Sequence, residues 1–203
     1  MKTRNGFYKY LSLMVRMSVL IAVFTVTAHA RDYTKEFGFS VGFSPGSTHG
    51  IGAVTGQQFV QAGIDFGFVL RCRQDTCLKY KISLIPVAFV HGDPATTLRR
   101  PGRTVYGGGI DPIGFQLNFR THKRLQPFLT LTGGCLYFTE QVPVTNSSQY
   151  NFTFGGGIGG EYVSGGRSIL FGYRYHHLSN GYTGNENPGI DSHILFVGVS
   201  FKR

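Results

Sequence analysis

Two runs near the C-terminus alternate residue by residue. In 167–179 the odd positions Ile169, Phe171, Tyr173 and Tyr175 are apolar or aromatic, and Gly172, Arg174 and His176 fall between them. In 191–201 the odd positions Leu195, Val197, Val199 and Phe201 match them. Ser192, Gly198 and Ser200 take the even ones, with Ile194 and Phe196 interrupting the polar row. A period of two is the pattern of a β-strand with one apolar face. Six more strand-like runs, bounded by turn residues, precede these two: 36–44, 57–71, 78–91, 105–120, 124–139 and 150–163. Pro86, Pro112 and Pro127 fall inside runs, where a missing N–H predicts bulges, bends or frayed ends.

The connections alternate in length. Segments 45–56, 92–104, 140–149 and 180–190 are long, whereas 72–77, 121–123 and 164–166 are short. An even strand number with long loops at one end and short turns at the other predicts an eight-stranded antiparallel outer-membrane β-barrel, all-β, spanning 31–203. Odd residues of the last two strands then face lipid and even residues face the interior. A soluble exported barrel is the competing architecture, and it needs no such alternation of loop length.

Composition agrees with a many-stranded chain: of 203 residues 29 are Gly, 14% are aromatic and only 15% are charged. Residues 1–30 read as a secretory signal peptide. Lys2, Arg4, Lys9 and Arg16 precede or border a ten-residue apolar run, Met17 to Val26, and Ala28-His29-Ala30 is a cleavage site. The apolar run is half the length of about 20 residues that a spanning helix needs. Removing those four cations leaves 16 Lys and Arg against 10 Asp and Glu, or +6 from the formal +10. The excess forms no basic face, so nucleic acid is not an expected partner. Cys72 and Cys77 enclose four residues, and an exported chain meets an oxidising compartment, so a small disulfide across the turn is expected. Cys135 reads as a small apolar strand residue, and no second ligand pair suggests a metal. The run Phe154-Gly-Gly-Gly-Ile-Gly-Gly160 has no strand-to-helix context and reads as close packing, not a phosphate loop.

One grouping carries chemistry. His177 and Ser179 continue the lipid-facing odd row of their strand, and Asp191 opens the last strand on its own outward face. In a hairpin closed by loop 180–190, a register that opposes Asp191 to His177 or Ser179 brings all three together at the outer rim. A histidine can take the serine proton, and a carboxylate on the other ring nitrogen fixes the tautomer. Asn187 and Asn180 can donate to an oxyanion. A substrate reached through a lipid-facing wall should be a lipid. His176 points inward beside Arg174. His193 faces outward and is placed opposite His177 as a head-group contact. Arg99, Arg100 and Arg103, in the second long loop, are candidates for binding lipopolysaccharide phosphates.

The stretch His177-Leu-Ser179-Asn180, followed by Asn187-Pro-Gly-Ile-Asp191-Ser192, resembles the signature of PagL-type lipid A 3-O-deacylases, or acyloxyacyl hydrolases. The resemblance implies an eight-stranded outer-membrane barrel that hydrolyses the 3-position ester of lipid A, with its site on the outer wall and no cofactor. It carries the base to His177, the nucleophile to Ser179, the oxyanion donor to Asn187 and the triad acid to Asp191, where the family usually has Glu. Glu186 is the alternative acid. The Cys72/Cys77 turn and the Phe201-Lys-Arg203 ending depart from the family pattern. A non-catalytic barrel with a structural or adhesive role, and a homodimer that buries the site, are further readings.

Overall fold

The computed structural model describes residues 34–92 and 103–202, so the expected signal peptide and Arg99 and Arg100 lie outside it. The described residues form eight long strands and one short one: β1 (Lys35–Ser44), β2 (Ser47–Thr48), β3 (Gln58–Arg73), β4 (Thr76–Gly92), β5 (Arg103–Phe119), β6 (Leu125–Val142), β7 (Ser148–Ser164), β8 (Arg167–Ser179) and β9 (Ile190–Lys202). Long strands adjacent in sequence pair antiparallel, and β1 closes on β9 from Glu36↔Lys202 to Phe43↔Leu195. This is a closed eight-stranded antiparallel barrel of the outer-membrane type. Closure leaves the long strands without a free sheet edge, which a membrane-embedded sheet requires.

The eight expected strands are all present, and their ends have local causes. Gly165 and Gly166 join β7 to β8 with φ of 54° and 81°, as a two-residue hairpin turn demands. Cys72 and Cys77, directly opposed on β3 and β4, form the expected disulfide beside the next short turn. Pro86 lies in a register shift between Ile85 and Ala88, and Pro112 in one between Ile110 and Ile113. Pro127 differs: the β5–β6 ladder stops at Asn118↔Phe128, one residue short of it, while β6 stays paired with β7 through Pro127↔Gly160.

Alternation sorts each strand into two faces. On β1, Phe37, Phe39, Val41 and Phe43 are exposed, while Glu36 and Ser44 are buried inside. On β8 and β9 the exposed row is Ile169, Phe171, Leu195, Val197, Val199 and Phe201, as expected. Glycines make room within the narrow interior: a Cβ on Gly159 would come within 2.4 Å of the Phe128 ring.

Two parts of the interior differ in kind. Toward the long loops it is apolar, built on Phe59, Ile85, Leu136, Phe138, Leu178 and Ile194. Full burial of such side chains stabilises by about 1.5–3 kcal/mol each. Toward the short turns it is ionic. Lys79 Nζ donates to both oxygens of Glu36 at 2.9 and 3.0 Å and to both of Glu161 at 2.9 Å. Gln116 and Asn118 donate to Glu161 at 3.0 and 2.7 Å. The cation and its carboxylates are thus paired and hydrogen-bonded together, the condition under which buried charge is tolerated.

Candidate active site

The site grows from the long-loop end of the β8–β9 hairpin. The ladder places His177 directly opposite Asp191 and ends one pair further on, at Leu178↔Ile190. Ser179 lies beyond that end, two residues from His177 on the same outward row, and is half-buried. On its other side β8 pairs with β7, which sets Phe154 opposite His177 and Phe152 opposite Ser179; both rings are exposed. The candidate polar groups are therefore walled by aromatic side chains on the surface that faces lipid.

The His177 Nδ1 to Asp191 Oδ1 distance is 2.6 Å. The Asp191 side chain is fully buried and that of His177 keeps 15% of its surface. Nδ1 is thus held by the carboxylate, which leaves Nε2 as the free ring nitrogen. Among the described residues no hydrogen bond joins the Ser179 hydroxyl to His177. Such bonds are often long in unliganded enzymes and tighten with substrate. Gly189, with φ of 67°, packs on the ring: a Cβ there would come within 3.0 Å of His177 Cε1.

Loop 180–190 is shaped by Asn180, which is fully buried. Its Nδ2 donates to the Glu186 carbonyl at 2.6 Å and its Oδ1 accepts from Tyr182 N at 2.9 Å. Its backbone N–H donates to Asn187 Oδ1 at 2.9 Å, which turns the Asn187 amino group to the opposite side. Asn187 is half-buried. Glu186 is exposed and points the other way, accepting from Asn146 Nδ2 at 3.2 Å. Asp191, not Glu186, is the carboxylate in contact with His177.

Other expected residues land as follows. His176 is inward and buried, stacked on Phe59 with ring centroids 4.9 Å apart. His193 is outward but stands opposite Tyr175, not His177. Its ring is held between the Thr48 hydroxyl, 2.7 Å from Nε2, and the Tyr173 hydroxyl. Arg103 opens β5 and forms an ion pair with Glu140 of β6.

Sequence reasoning missed the first long loop. Segment 45–56 was expected to be a plain connection, but its β2 pairs with β9, Ser47↔Ser192 and Thr48↔Asp191. From there it crosses the site. Gly52 N donates to Asp191 Oδ2 at 2.8 Å, and Ala53 N and Val54 N donate to the carbonyls of Pro188 and Gly189 at 2.6 and 3.2 Å. The one available signal was its four glycines, Gly46, Gly50, Gly52 and Gly56, in a segment without periodicity.

Residues 85–200, more than half of the chain and the whole of β8 and β9 up to Ser200, match the family described as lipid A 3-O-deacylase (PagL). The chain belongs to that family. Among solved structures, the outer membrane enzyme PagL aligns at 17% identity over 80% of this chain and 97% of its own, with a TM-score of 0.59. Neisserial surface protein A follows at 17% identity, 84% and 96% coverage and a TM-score of 0.47. OprG from Pseudomonas aeruginosa follows at 12%, 84% and 95%, and 0.46. No curated protein sequence matches. The PagL likeness extends to the barrel fold, and the family match covers His177, Ser179, Asn180, Asn187 and Asp191 but not segment 45–56.

Proposed function

We propose that this protein is an outer-membrane serine esterase that removes the 3-O-acyl chain of lipid A and so remodels lipopolysaccharide. One observation carries the reading: a buried carboxylate holds Nδ1 of a histidine at 2.6 Å on the lipid-facing wall, with a serine next on the same row. Ionisable groups on a lipid-facing wall carry a cost that grows with depth from the rim, which speaks for a function of the pair.

His177 Nε2 takes the Ser179 hydroxyl proton as Oγ attacks the ester carbonyl. Asp191 holds the tautomer and stabilises the imidazolium. Asn187 donates from its Nδ2 to the tetrahedral oxyanion. Asn180, whose carboxamide is committed to the loop, acts by holding Asn187. Collapse breaks the bond to the sugar oxygen, which receives the proton from His177. Water activated by His177 then cleaves the acyl-enzyme and releases the 3-hydroxy fatty acid. Arg99, Arg100 and Arg103 are assigned to the phosphates of the head group, with Arg103 exchanging Glu140 for that anion. Neither the family match nor the PagL likeness speaks for a homodimer, and the proposal includes none.

The test uses purified protein and lipid A in detergent, with released acids identified by mass spectrometry. Wild type should release a 3-hydroxy fatty acid and Ser179→Ala none. Equal release by both, or release by neither, overturns the reading and favours a non-catalytic barrel.

A further inference from the structure

Asp191 is a short acid, and the strand backbone fixes its Cβ directly across from His177. One oxygen, Oδ1, meets the ring. The other is not left to solvent. Gly52 N–H donates to Oδ2, and the Tyr175 hydroxyl hydrogen-bonds the same carboxylate. Tyr175 is two residues before His177 on the same outward row of β8, and its hydroxyl oxygen also accepts from the backbone of Ile51. It therefore joins the carboxylate to the loop that covers it. The fit is close: a Cβ on Gly50 would come within 2.4 Å of Asp191 Oδ2 and 3.4 Å of the Tyr175 oxygen.

A carboxylate held by one strand and one ring can still rotate about its Cα–Cβ and Cβ–Cγ bonds. A donor on Oδ2, with the Tyr175 hydroxyl on the same carboxylate, removes that freedom and fixes Oδ1 on Nδ1. They also spread the anionic charge, so that Asp191 steadies the imidazolium without taking its proton. Tyr173, one step down the same row, offers the contrast: its hydroxyl goes to His193 and not to the His177–Asp191 pair.

We propose that Tyr175 is a positioning residue for the hydrolysis, acting through Asp191, and that loop 45–56 is the latch that completes the acid. The inference rests on the esterase reading above. It makes the site a product of both chain ends, since Gly52 and Asp191 are 139 residues apart.

The experiment is a double-mutant cycle on purified protein with lipid A, with folding checked by heat-modifiable migration. Tyr175→Phe should lower kcat roughly tenfold to a hundredfold, the worth of one hydrogen bond to a charged group, and leave KM in place. Asp191→Asn should lower it further, and adding Tyr175→Phe to Asp191→Asn should change nothing more. Tyr173→Phe should leave kcat at the wild-type value. Gly50→Ala should reproduce the Tyr175→Phe loss by crowding Oδ2. If Tyr175→Phe keeps wild-type kcat, or its loss persists undiminished beside Asp191→Asn, the positioning role is wrong. If Ser179→Ala is as active as wild type, the esterase reading itself has failed, a separate outcome.

Discussion

Two of the barrel's buried carboxylates, Glu161 and Asp191, are treated in opposite ways. Glu161, in the ionic part of the interior, is fully buried and saturated: Lys79 contacts both its oxygens, and Gln116 and Asn118 add donors to one of them. Asp191, on the lipid-facing wall, is equally buried, but among the described residues no Lys or Arg pairs with it. Its partners are a backbone N–H, a phenol and an imidazole whose far nitrogen stays open. The first arrangement closes on itself and can only hold the barrel together. In the proposed reaction the second transmits charge to the ring nitrogen that acts on the substrate. Burial and hydrogen bonding alone do not separate structure from function; what separates them is whether the network ends on a free donor or acceptor.

That contrast can be broken by substitution. On the wall, the largest effect should follow from His177→Ala, roughly a millionfold loss in kcat, because base and nucleophile act as a unit. The initial rate of fatty acid release from lipid A measures it, and heat-modifiable migration should stay wild type. Asp191→Asn should cost about 10⁴ in the same assay by presenting the wrong tautomer. In the interior, Lys79→Met should do the reverse. It leaves Glu161 buried without its cation and Glu36 with only Lys202, 4.0 Å away, and should destabilise the barrel by about 3–5 kcal/mol in denaturant titration. Activity per folded molecule should be unchanged. Asn187→Ala should lower kcat by about 10²–10³ without altering stability. The smallest effect belongs to Glu186→Gln, which touches Asn146 and not His177 and should leave rate and stability within error.

Much of this contrast is readable in the sequence, for physical reasons. The outward row His177, Ser179 follows from the period of two on a strand whose lower half, Ile169 to Tyr175, is already assigned to lipid. That Asp191 meets His177 or Ser179 follows from a hairpin whose loop spans 180–190; the choice of His177 is made by the register of the ladder, which sequence leaves open. What could not be read depends on contacts remote in sequence. β2 is two residues long, too short to show a period, and its pairing with β9 crosses the barrel closure. Tyr175 carries no mark that separates it from Tyr173 until a loop from the other end of the chain meets its hydroxyl. Lys79, Glu36 and Glu161 lie on β4, β1 and β7, and only closure brings them together.

The most direct measurement is the mass of lipid A recovered from membranes that hold equal amounts of folded wild type, Glu161→Gln and Ser179→Ala. The account predicts that wild type and Glu161→Gln both remove one 3-hydroxyacyl chain, and that Ser179→Ala leaves lipid A intact. Removal of that chain by Ser179→Ala, or its retention by wild type, would contradict it.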